Sequence, residues 1–265
     1  MIQNYLSINK KFYTNLKELF NFIEKDELIN GCEITVNDCH DSAEISNVER
    51  VIDFLKNNNR NFQIHGADIE NTTISWLEYY EKLAQKYQKE IIITLHPAQS
   101  MKEDIKLFSR VMDEIKQRNF DYKLLIENLN LHRFPLTDIT ILLNQFEDLY
   151  WCLDVGHAIY DNEYIELSSN MKSKIKNVHI HDVAETYDHV PFYQDGRVNY
   201  IDAMNLLSNL EYDKAVVSEI ALDYLEGTTY NEKLEDYKKN IKKLCYKEKF
   251  WGTLPLKQNI LKKVV

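Results

Sequence analysis

Hydrophobic positions along the chain fall into two alternating patterns. Short apolar runs span residues 2–8, 31–36, 62–66, 90–96, 122–127, 149–155, 175–181 and 215–220. Between them lie segments such as TNLKELFNFIEK, NVERVIDFLKNN, ISWLEYYEKLAQKYQK and KEDIKLFSRVMDEIKQ, whose apolar residues recur at three- and four-residue spacing. The first pattern predicts buried strands and the second predicts helices with one apolar stripe. Strands this apolar leave no face for water, as in a parallel sheet covered on both sides. Strand then helix, eight times over, predicts a single (β/α)8 TIM barrel of parallel strands; an open doubly wound sheet is the alternative.

The apolar runs share a second property: most end in a residue able to bind metal or move a proton. QIHGAD ends at His65, ITLHPA at His96 and LLIENLN at Glu127. WCLDVGHA carries Asp154 and His157, NVHIHDV carries His179 to Asp182, and VVSEI ends near Glu219. In a parallel barrel the carboxyl ends of all strands open on one face, so these side chains would converge there.

Composition agrees with this picture and narrows it. At 265 residues the chain is close to the ~250 typical of such a barrel, and 44% hydrophobic residues suffice to fill one core. No low-complexity linker or strong repeat divides it, so residues 1–265 read as one domain. Gly66, Pro97, Gly156, Pro191 and Gly196 all sit in or beside the polar motifs, where a chain leaving a strand must turn. A net charge of −10 repels nucleic acid and makes duplex DNA a poor partner. The start, MIQNYLSINK, lacks a signal-peptide pattern and no apolar run nears a membrane span, so the expectation is a cytoplasmic protein without a membrane partner. Cys32, Cys39, Cys152 and Cys245 lack CxxC spacing and read as reduced packing thiols.

Glu127, Asp154, His179 and Glu219, at the ends of strands five to eight, form a donor set suited to Zn²⁺, Mn²⁺, Mg²⁺ or Co²⁺. Any one of these acids alone would more simply cap a helix or pair with a lysine. Four coincident strand ends outweigh that reading. His65 and His96 stand beside Glu127 on neighbouring strands, and two imidazoles with a carboxylate are zinc-like ligation. Glu127 would then join two metals through its two oxygens. His157 and His189 either hold a third metal or contact substrate. His181 shares the strand face of His179 by the period of two and reads either as a residue supporting the ligands or as a substrate-binding one, and Asn128 is a candidate for positioning substrate or water. The long segment 183–200 adds Asp195 and Arg197 to the substrate candidates. GxGxxG, P-loop, GxSxG and HExxH motifs are all absent from the sequence.

CLDVGHA, VHIHDV followed by DHVP, LIEN and LHPA resemble the xylose isomerase-like TIM barrel superfamily, which groups endonuclease IV with sugar and sugar-phosphate isomerases and epimerases. The resemblance runs from GCEITV to VVSEI. It implies His65, His96 and Glu127 around one metal, and Glu127, Asp154, His179 and Glu219 around a second. His157 and His189 would match part of the third metal's set in endonuclease IV, giving one to three divalent ions per chain. That family has an Asp two residues before the last His; here the position is Tyr187, with Asp188 adjacent. The family's Gly-Glu-Gly corresponds to Gln194, Asp195 and Gly196, and GADIEN after His65 lacks the aromatic that the DNA enzyme uses on a kinked duplex. A small substrate, possibly phosphorylated, is the expected partner.

Two reactions follow. Hydrolysis of a phosphate ester on a small or nucleotide-like molecule needs clustered metals, and so uses the extra histidines. Isomerisation or epimerisation of a sugar or sugar phosphate needs one metal, with Glu127 and Glu219 as the catalytic acid/base pair. A noncatalytic metal- or ligand-binding barrel is the third expectation.

Overall fold

A computed structural model describes residues 2–69, 74–87, 90–98, 100–118, 122–129, 134–160, 169–184, 187–192 and 200–245. Asp195 and Arg197 lie outside the described residues. Eight strands form the sheet: β1 (Gln3–Ile8), β2 (Gly31–Thr35), β3 (Asn61–His65), β4 (Ile91–Leu95), β5 (Tyr122–Glu127), β6 (Leu149–Asp154), β7 (Ile175–Ile180) and β8 (Ala215–Ser218). They close into a barrel in chain order with every neighbouring pair parallel. All eight expected strands are present, and the open-sheet alternative is excluded by the pairing of β1 with β8. The helices are α1 (Leu16–Lys25), α2 (Ser42–Asn57), α3 (Ile74–Tyr87), α4 (Met101–Arg118), α5 (Leu136–Gln145), α6 (Val155–Tyr160), α7 (Ser169–Lys174), α8 (Tyr200–Asn209) and α9 (Tyr230–Cys245). Among the described residues, no helix is long and apolar enough to cross a membrane.

Local chemistry explains the helix starts. Asn15 caps α1 by accepting from the Glu18 N–H at 3.3 Å, and Asp41 caps α2 by accepting from Ala43 and Glu44 at 2.9 and 3.2 Å. Before α9, Thr229 and Glu232 form a reciprocal capping box: the Glu232 carboxylate accepts from the Thr229 N–H at 2.9 Å, and the Thr229 hydroxyl accepts from Glu232 N at 3.3 Å. Each helix lays an apolar stripe on the barrel; α1, for example, buries Leu16, Leu19, Phe22 and Ile23.

Inside the barrel the period of two sets which side chains face the axis. Gln63 and His65, Thr94 and His96, Leu125 and Glu127, Cys152 and Asp154, and Asn177 and His179 form such inward pairs. One layer below the histidines and acids, Glu33, Gln63, Thr94, Cys152 and Asn177 are buried, so much of the layer beneath the site is polar. Cys32, Cys39 and Cys152 are free thiols.

Candidate metal centre

Among the described residues, five overlapping groups could hold a metal: three at the carboxyl ends of β3 to β8, linked by two shared carboxylates, and two that reach one layer inward, Glu33 with His65 and His179, and Glu127 with Cys152 and His179. In the first, His65 Nε2 lies 3.2 Å and His96 Nε2 3.6 Å from Glu127 Oε2. Each ring is oriented from its far side: His65 Nδ1 donates to the Gly66 carbonyl at 3.2 Å, and His96 Nδ1 faces Asp68 at 3.1 Å. This leaves both Nε2 atoms pointing at Glu127, the arrangement of metal-ligating histidines.

The second group is Glu127, Asp154, His179 and Glu219, whose ligand atoms all lie within 4.8 Å of one another. His179 Nδ1 is 2.8 Å from Glu219, 3.3 Å from Glu127 and 3.9 Å from Asp154. Asp154 combines two roles. Its Oδ1 accepts from the His157 N–H at 2.7 Å and caps α6, while Oδ2 faces the histidines.

The third group is Asp154, His157, His181 and His189, again with ligand atoms within 4.8 Å. His157 Nδ1 donates to the Asn128 carbonyl at 2.9 Å, and its Nε2 meets Asp188 at 3.1 Å. His181 Nε2 is 3.2 Å from Asp154, and its ring stacks on His189 with centroids 4.3 Å apart. Gly156 makes room for this: a Cβ there would fall 2.2 Å from the His181 ring. His189 adopts a left-handed φ of 57°, and its imidazole reaches Asp188 at 3.5 Å and Glu219 at 3.5 Å.

Among the described residues, the ion pairs of Glu127, Asp154 and Glu219 are with imidazoles alone. Buried carboxylates without a fixed cation need positive charge from elsewhere. Burial opposes charging His96, but Asp68 and Glu127 outweigh it and hold the imidazole up to about 9. Burial likewise opposes charge on His157, yet Asp154, Asp188 and Glu127 raise it to about 10. Burial would raise the Glu127 and Glu219 carboxyls, but His179 and neighbouring imidazoles hold both well below the usual range. His179 Nδ1 and Glu219 Oε2 are buried and, though 2.8 Å apart, neither makes an aligned hydrogen bond. The donor set and these two orphaned atoms fit a divalent cation.

The structure thus brings together His65, His96, Glu127, Asp154, His157, His179, His189 and Glu219. Two of the substrate candidates are fully buried. Asn128, expected at the substrate, has its side chain occupied by the next strand: Oδ1 accepts from Asp154 N at 2.9 Å and Trp151 Nε1 at 3.2 Å, and Nδ2 donates to Asp154 O at 2.8 Å. It positions Asp154 instead. His181, expected either behind the ligands or at the substrate, is fully buried within the third group. Asp188, the neighbour of Tyr187, lies among the histidines, and two further residues join the site: Asp68 behind His96 and Glu33 beneath His179. A charged residue in the middle of the apolar strand GCEITV was the available signal for Glu33.

A closed parallel barrel with clustered acids and imidazoles at its carboxyl face defines the architecture. The profile of the xylose isomerase-like TIM barrel family matches residues 71–246, and the chain belongs to that family. Comparison with curated protein sequences finds no match. Among solved structures, the chain is similar to an uncharacterised protein of Parabacteroides distasonis at 12% identity, covering 93% of this chain and 97% of that one with a TM-score of 0.49. It is similar to a chain of the tryptophan synthase α2β2 complex of Pyrococcus furiosus at 13% identity, with coverages of 92% and 97% and a TM-score of 0.48. The YdjI aldolase of Escherichia coli K12 matches at 8% identity, with coverages of 95% and 91% and a TM-score of 0.47.

Proposed function

We propose that this chain is a divalent-metal-dependent hydrolase with a multinuclear site, cleaving a phosphate ester of a small or nucleotide-like molecule rather than duplex DNA. The observation that carries the reading is the sharing of carboxylates: Glu127 belongs to both the first and second ligand groups, and Asp154 to both the second and third. Such carboxylates hold neighbouring cations close together. Cations bound there would neutralise the phosphate, acidify an attacking water and stabilise the leaving oxygen.

The chain's own residues supply orientation and charge. His96, His189 and Glu219 form the partly exposed rim, with side chains 34%, 30% and 16% accessible, so a substrate would meet the site there. Glu127 and Asp154, buried below, keep their positions through His65, His157 and Asn128.

A second reading is a sugar or sugar-phosphate isomerase or epimerase, favoured by the convergence of Glu127 and Glu219 on His179 Nδ1 at 3.3 and 2.8 Å. That chemistry uses the second group alone and leaves His65, His96, His157 and His181 without a role. The test is a panel of phosphomonoesters, phosphodiesters and sugar phosphates, assayed with and without a chelator. Chelator-sensitive phosphate release supports the hydrolase; sugar interconversion that survives His65→Ala and His96→Ala supports the isomerase; binding without turnover leaves a noncatalytic barrel.

A further inference from the structure

The opposite end of the barrel from the ligand groups carries a second concentration of charge, of the other sign. By the period of two, Lys123 and Tyr150 lie on the inward face at the amino ends of β5 and β6, in line with Glu127 and Asp154 at the other end. Lys176 reaches the same place by a different route. Trp151 pairs with Ile175 and Cys152 with Asn177, so Lys176 is the extra residue of a bulge, where a side chain leaves the regular alternation. Its Nζ lies 5.1 Å from the centre of the Tyr150 ring, and Lys174 Nζ lies 5.5 Å from the same ring. Asn177 pairs with Ala215, which sets Lys214 beside Lys176 where β7 and β8 begin, and Lys214 Nζ donates to the Ile175 carbonyl at 3.1 Å.

These four ammonium groups gather in a chain whose net charge is −10, yet they are compensated unequally. Lys123 pairs with Glu90. Lys174 spends its three donors on the carbonyls of Phe146, Glu147 and Leu149, with the Asp148 and Glu147 carboxylates close by. Lys176 donates to the Ser173 carbonyl at 2.8 Å, and among the described residues neither Lys176 nor Lys214 forms an ion pair. An ammonium has three N–H donors, so each of these two keeps a pair of donors for another acceptor. Burial, then the charges of Lys214, Lys123 and Lys174, hold the Lys176 ammonium below the usual lysine range.

We propose that Lys176 and Lys214 form a binding site for a phosphoryl dianion, either inorganic phosphate or the end of a phosphate monoester, at the amino end of the barrel. A dianion matches two neighbouring ammonium groups in charge, and its oxygens accept from the remaining N–H groups of both. A carboxylate would balance only one of them. The Tyr150 ring holds Lys176 in place by attraction of the ammonium to its face, so one side of the site is formed before the anion arrives. Lys123 and Lys174 add positive field without giving up their own partners.

This site is independent of the metal-dependent reading, and its test is made in chelator so that the carboxyl-end groups hold no metal. Inorganic phosphate and glycerol 3-phosphate are titrated by calorimetry into wild type, Lys176→Met, Lys214→Met and Lys86→Met. Methionine keeps the stem and removes the charge; Lys86, paired with Glu49 at 2.9 Å between α3 and α2, is the control. Binding should weaken about 10–100-fold in Lys176→Met and in Lys214→Met, the loss of a hydrogen bond to a charged group, and stay unchanged in Lys86→Met. Tighter binding of the ester identifies the end of a larger ligand, and equal or weaker binding identifies free phosphate. Phosphate should also raise the wild-type thermal midpoint more than that of either site variant. A purely structural role for these lysines would lower the midpoint equally with and without phosphate and would overturn the proposal. So would unchanged affinity in both site variants, an equal loss in all three variants, or no phosphate binding by the wild type. Lys214 is exposed, so Lys214→Met decides the matter if Lys176→Met does not fold.

Discussion

Replacing Gly156 with alanine should damage the third ligand group selectively. The added Cβ would fall 2.2, 2.4 and 2.6 Å from the Cε1, Nε2 and Nδ1 atoms of His181. Favourable carbon contacts begin near ~3.5 Å, so the ring must retreat by about 1 Å. It has no free space: His181 is fully buried, held on Asp154 at 3.2 Å and stacked on His189 at 4.3 Å. Overpacking of this kind costs about 1–3 kcal/mol. At roughly 2–4 °C per kcal/mol for a domain of this size, the thermal midpoint should fall by about 2–12 °C. Gly31→Ala is the matched control, because its Cβ would fall 2.6 Å from the Asn61 carbonyl at the opposite end of the barrel. Calorimetry and elemental analysis on the two variants separate packing from ligation. Both should lose stability, but only Gly156→Ala should lose bound metal, by about one ion per chain relative to wild type. A Gly156→Ala protein with wild-type metal content and wild-type stability would refute the reasoning.

Other outcomes follow from the same geometry. His65→Ala and His96→Ala should each lower metal content by one ion per chain and abolish phosphate release, measured by elemental analysis and a phosphate assay; isomerase activity surviving in both would contradict the hydrolase. In metal-free protein His96 and His157 are raised to about 9 and about 10 by neighbouring carboxylates against the opposing effect of burial. Their contribution to stability is complete below the unfolded imidazole value near ~6.5 and is lost as pH rises through these folded values. The thermal midpoint in chelator should therefore decline between pH 7 and 10 while Zn²⁺ affinity increases over the same window, and a flat or rising midpoint would contradict this. The Glu232 carboxyl is lowered from 4.5 to about 2 by the N–H groups of Thr229 and Thr228 that it accepts from. Its contribution is present above its unfolded value and disappears as pH falls through about 2. Glu232→Ala should thus lower the thermal midpoint at pH 7, and the difference from wild type should shrink between pH 4.5 and 2.

The barrel was legible because its evidence is periodic. Each strand is apolar over its length and changes character at its carboxyl end, so both the strand positions and the face on which His65, His96, Glu127, Asp154, His179 and Glu219 meet could be read from the chain. Asn128 and His181 were harder because adjacency in sequence does not say which partner a polar group finds. Asn128 follows Glu127, but its amide is used by β6. The company His181 keeps depends on the absent side chain of Gly156 and on the left-handed turn at His189, neither of which leaves a periodic trace. Asp188 reaches the histidines although Tyr187 holds the position the family pattern would use; Val190 nearby pairs its backbone with Asp182 at 2.9 and 3.0 Å, which keeps this end of the loop against β7. Glu33 lies in the interior of a strand, where spacing reports inward orientation but not the His179 ring it lies against across the barrel.

Metal content per chain, measured by elemental analysis on protein purified without chelator and without added metal, tests the central claim most directly. Three ligand groups joined through Glu127 and Asp154 predict more than one divalent ion per chain, falling on removal of His65 or His96. A single ion that persists in both variants would contradict the multinuclear site and leave the Glu127–Asp154–His179–Glu219 group to act alone.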